Sequence, residues 1–181
     1  VAAKLYLHED AAWCSSRVVE LFAGPQSGDM FWMFPVTATA YLDRGQLSAE
    51  ARSALRRSWK SYAPYRGDTE NHFLLYYTSL YLMSQLYPDD GPETWFTGKS
   101  SKDNMEEARQ WIEGWVKLTT TRGQGEYDSP HYIQEYLIPV SFLAAWAKDP
   151  AMKKRASMML DFLIADYAPE NIDGITVGAQ S

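Results

Sequence analysis

Apolar and charged positions fall along this chain in blocks. From Phe73 to Tyr87 there is no charged residue at all, and a helix that is apolar on every side is normally buried on every side. Similar blocks run from Met30 to Leu42, with Pro35 inside, and from Ile133 to Ala147, with Pro139 inside and Glu135 as the one charge. The blocks between them are amphipathic. The first runs from Glu9 or Asp10 to about Phe22. Ala49 to Tyr62 turns Leu55 and Trp59 inward and exposes Glu50, Arg52, Arg56, Arg57 and Lys60. Residues 101 to 119 carry the stripe Met105, Ala108, Trp111, Ile112, Trp115 and Leu118, and a last amphipathic helix covers Met152 to Tyr167. Ser48, Ser101, Ser129 (before Pro130) and Asp149 (before Pro150) are the predicted helix starts. Residues 174–181 read as a loop.

Each apolar block opens on a polar mouth. The first is Ser27-Gly28-Asp29. The second is Arg66-Gly67-Asp68-Thr69-Glu70-Asn71-His72. The third is Gly123-Gln124-Gly125-Glu126-Tyr127-Asp128-Ser129-Pro130-His131-Tyr132. Burying such groups is costly unless they are paired or face a wet cavity. The mouths belong to an internal repeat: Glu50-Ala51-Arg52 recurs 57 residues later as Glu107-Ala108-Arg109, and Gly67-Asp68 recurs 58 residues later as Gly125-Glu126. Glu70 then matches Asp128, and His72 matches His131 with one insertion. The unit is an amphipathic helix, a loop rich in glycine and acid, and an apolar helix. The predicted fold is all-α, with helical hairpins forming an (α/α) toroid or a partial one and the mouths gathered at one end. A linear α-solenoid is the alternative.

Composition narrows the function. The 181 residues suit a single domain, and 46% hydrophobic content gives it a sizeable core. The formal charge of −6 argues against nucleic acid as a partner. Lys153-Lys154-Arg155 reads as a solvated helix face. No apolar run reaches the ~20 residues of a membrane span. A lone cysteine, Cys14, forms no intrachain disulfide and reads as a small buried hydrophobe. No cofactor or metal site is signalled. The first residue is Val1, so either a leader was removed or the sequence begins inside a longer protein with further domains; the expected location is secreted or periplasmic.

The mouths at 66–72 and 123–132, each opening an apolar helix, resemble the toroid domains of carbohydrate-active enzymes, in particular polysaccharide lyases of the heparinase II/III and alginate-lyase type. The likeness covers about residues 48–181. It implies a polysaccharide or oligosaccharide partner and β-elimination on a uronate. Asn71 and His72 would neutralise the sugar carboxylate, and Tyr127, His131 or Tyr132 would move protons. The family's arginine has no counterpart that can be located here.

Elimination needs a neutralised carboxylate, a base and an acid. Asp68, Glu70, Glu126 and Asp128 would instead crowd an anionic sugar with like charge, unless Arg66 and Arg122 offset it. The same carboxylates suit an inverting glycoside hydrolase using Glu70 and Asp128. Glu135, one turn inside an apolar helix, must be paired or working. Asp68, Thr69, Asp128 and Ser129 are also ordinary helix caps, which keeps open a non-catalytic sugar-binding or scaffold domain. Trp59, Trp111, Trp115 and Trp146 sit at core spacing.

Overall fold

A computed structural model describes residues 1–64, 69–126, 129 and 131–176. The chain is all-α. Its helices are α1 (Ala2–Tyr6), α2 (Ala11–Leu21), α3 (Met30–Leu42), α4 (Ala49–Ser61), α5 (Glu70–Leu86), α6 (Ser101–Arg122), α7 (Ile133–Trp146) and α8 (Pro150–Tyr167). α5 is the uncharged block, and it is buried from Leu74 through Gln85 without a break. It packs against α3 on one side, α7 on another and α6 on a third, while α8 covers α7 and α4 pairs with α2. Apolar helices therefore form one row and amphipathic helices cover it. The repeat is visible in the packing: Ala51 and Ala108, equivalent in the two amphipathic units, are both fully buried.

The ends of the apolar helices come together. Two-residue strands β1 (Ser27–Gly28) and β2 (Ala63–Pro64) pair in parallel, tying the loop before α3 to the segment that follows α4. The Tyr62 hydroxyl donates to the Gly28 carbonyl at 2.8 Å, and the Phe31 ring meets the His72 ring edge-on at 5.2 Å.

Several helix starts follow from single residues. Asp29 accepts from the Phe31 amide, Ser48 from Ala51 and Asp149 from Ala151, each satisfying an N-terminal donor that has no helical partner. Pro35 lies within α3 and Pro139 within α7, and both helices continue through them. Other starts correct the sequence expectation. The cap of α6 is Ser100, whose hydroxyl accepts from Asp103 N; Ser101 is buried and accepts from Trp95 Nε1 at 3.0 Å. α7 begins at Ile133 rather than next to Ser129, because the Ser129 carbonyl takes both the Tyr132 and Ile133 amides and closes a turn first. The start of the tail is not a loop: β3 (Asn171–Ile172) and β4 (Ile175–Thr176) form a hairpin. Its turn, Asp173-Gly174, takes positive φ at both residues, the geometry an Asp-Gly pair favours. α1 was not expected at all.

Candidate functional site

Residues 70, 71 and 72 lie about 100° apart around the start of α5, so packing sends them to different neighbours. Glu70 points at α6 and α7. Its Oε1 accepts from Trp115 Nε1 at 2.6 Å and, more weakly, from Thr119 Oγ1 at 3.5 Å. Its Oε2 accepts from the Gly125 amide and lies 3.4 Å from the Tyr136 hydroxyl. A Cβ at residue 125 would come within 2.6 Å of that oxygen, so a side chain there would displace the Glu70 carboxylate. Asn71, 1% exposed, donates its amide to Glu126 Oε2. The fully buried Tyr136 donates to the same Glu126 oxygen at 2.9 Å. One phenol thus sits within 3.4 Å of two carboxylates. Burial first, then those two charges, holds it far above the usual tyrosine range.

This network binds three helices together and uses up its own polar groups. Tyr136→Phe is expected to lower unfolding stability by about 1.5–3 kcal/mol, the range for a hydrogen bond to a charged group. Urea denaturation checks it.

His72 turns the other way, toward Phe31 of α3. Thr69 occupies the N-cap of α5, yet its side chain caps no backbone amide and is hydrogen-bonded instead to His72 Nδ1. Glu135 projects from the first turn of α7. Its Oε2 is buried and has no partner among the described residues. Desolvation raises its pKa above the ordinary carboxyl value, and the His131 and His72 imidazoles oppose the rise. His131 is exposed, and its ring meets the Tyr132 ring edge-on at 5.2 Å. Tyr132 is 37% exposed.

The candidate residues therefore separate into a girdle between helices, with Asn71 buried and Glu70 and Glu126 half-buried, and a mouth of His72, His131, Tyr132 and Glu135. Arg66, Asp68, Tyr127 and Asp128 lie outside the described residues. Tyr136 and Phe31 were missed. The signal for Tyr136 was available: a tyrosine inside a buried helix needs a partner for its hydroxyl.

Trp59 and Trp115 are buried, as their spacing predicts. Among the described residues no group of three His, Cys, Asp or Glu side chains is placed to hold a metal ion, and no helix is long and apolar enough to cross a membrane. No protein-family model, curated protein or solved structure matches the chain.

Proposed function

We propose that this chain is a carbohydrate-active enzyme that cleaves a glycosidic bond at the His72–Glu135–His131 mouth, on hairpins that form a toroid or part of one. The observation that carries the reading is Glu135: a carboxyl in the first turn of α7 with a buried oxygen that has no partner among the described residues and a pKa raised by desolvation, a rise that the His131 and His72 imidazoles oppose. Perturbed acids of this kind concentrate where protons are moved. The glycan is the substrate class that the resemblance of the two mouths implies.

Hydrolysis fits the residues best. Protonated Glu135 gives its proton to the glycosidic oxygen as the bond to the anomeric carbon breaks. His72 Nε2 takes a proton from the water whose oxygen forms the new bond to that carbon. Elimination from a uronate is supported less well, because the Asn71 amide that would neutralise the sugar carboxylate already donates to Glu126. The pairing of exposed Tyr132 with His131 favours it as the second reading, since a phenol and an imidazole can serve as acid and base.

The test is a panel of neutral and uronate polysaccharides, read by reducing-end release and by absorbance at ~235 nm for unsaturated ends, with His72→Ala as control. New reducing ends without absorbance, lost in the variant, support hydrolysis. Absorbance lost in the variant moves the assignment to elimination. Folded protein that is silent in both assays removes the catalytic reading and leaves a binding or scaffold domain.

A further inference from the structure

We propose that the outer face of α6 carries a second binding groove, one that takes a neutral sugar ring and does not include His72, Glu135 or His131. The groove holds about 690 Å³, within the range of small-molecule sites. Its floor is the helix itself. Gly114 stands in the middle of a 22-residue helix, where glycine is among the least favourable choices. Nothing in the protein's own packing asks for it, since a Cβ there would meet no atom within 4 Å. The missing side chain leaves bare backbone between Trp111 and Leu118, with Trp115 alongside. Leu118 is 52% exposed, so this apolar strip is not covered by another element.

The rim is polar. Gln124 lines the groove, and its amide nitrogen is shielded from solvent with no acceptor among the described residues. The donor is reached only when the Gln124 side chain turns into the groove, where a ligand hydroxyl can accept from it. Arg122 adds further donors beside it, and Glu70, bonded to the neighbouring Gly125 amide, has both oxygens engaged. An apolar strip with donors along one edge matches a pyranose, which has a C–H face and a hydroxyl edge. With Arg122 and Glu70 both on the lining, the groove selects no net charge. The choice of a sugar rests on the glycan reading of the mouth; the groove itself stands on its own geometry.

The experiment uses the full chain carrying Glu135→Gln, so that ligand is not consumed. Gluco-, xylo-, manno- and galacto-tetrasaccharides are titrated by calorimetry and by tryptophan fluorescence. At least one is expected to bind and to quench. Gly114→Leu fills the floor and should weaken that binding by roughly tenfold or more while the helical circular dichroism is kept. Gln124→Ala should weaken it several-fold. Failure of every tetrasaccharide to bind folded protein overturns the proposal, and so does binding that Gly114→Leu leaves untouched. Binding that depends on residue 114 in a protein that cleaves nothing would retain the groove and remove the mouth.

Discussion

Glu135→Gln is expected to lower glycan cleavage by about 10²–10⁴-fold, the usual contribution of a positioned general acid, with little change in substrate binding. Glutamine keeps the shape of the protonated acid and cannot give up a proton. The pH dependence follows from the same residue. Burial raises the Glu135 pKa above the ordinary carboxyl value, so the acid stays loaded to a higher pH than a surface glutamate. The alkaline limb of the rate profile is its loss, and the variant's residual rate should lack that limb. Stability carries the matching sign. The folded chain holds this proton more tightly than the unfolded chain does. The contribution is therefore complete below the ordinary carboxyl pKa and is lost as pH rises through the raised one. In that window urea midpoints of the wild type should fall relative to those of the glutamine variant. A variant that cleaves at the wild-type rate would remove Glu135 from the chemistry.

The largest loss of stability is expected at Trp59. It is fully buried and meets Trp32, Trp95 and Phe96 at ring distances of 5.8, 5.7 and 6.2 Å. Its backbone carbonyl also accepts from the Phe96 amide at 2.8 Å. Trp59→Ala should cost about 3–5 kcal/mol through lost transfer energy and the cavity left behind. That is a large share of the ~5–15 kcal/mol that keeps a domain folded, and it corresponds to a fall in Tm of roughly 6–20 °C. Trp59→Phe should cost much less. The indole N–H has no partner among the described residues, so the smaller ring removes a buried donor as well as volume. Thermal and urea unfolding of the two variants separates the effects, and an alanine variant as stable as phenylalanine would show that the cluster collapses to fill the space.

The alternation of apolar and amphipathic helices was legible because it rests on composition over long windows. An uncharged run such as Phe73–Tyr87 has few other places to go than a buried helix. Caps decided by one strong residue, such as Asp29 or Asp149, were legible as well. Ser100 and Ser101 were not separable, because either can cap; burial of Ser101 under Trp95 decides between them. The α7 start was misplaced because Ser-Pro signals a helix locally while the Ser129 carbonyl closes a turn.

The site was legible as a set of residue types and illegible as an arrangement. Glu70, Asn71 and His72 are consecutive, and only the positions of α3, α6 and α7 reveal that two of them face a girdle and one the mouth. Tyr136 follows Glu135 directly, but a chain of letters does not distinguish a buried phenol that ties two carboxylates from one that packs. Glu70 shows the same limit: its described partners are Trp115, Gly125 and Tyr136, which the repeat does not point to.

Those partners also set an order of assembly. Glu70 joins groups 45, 55 and 66 residues away along the chain, whereas helix hairpins close over far shorter loops. The entropy of such closure grows only slowly with length, but it has to be met before the contact returns anything. Individual helices and neighbouring hairpins can therefore form early, and the girdle closes only when α5, α6 and α7 are already in place. The girdle is therefore expected to close late in folding.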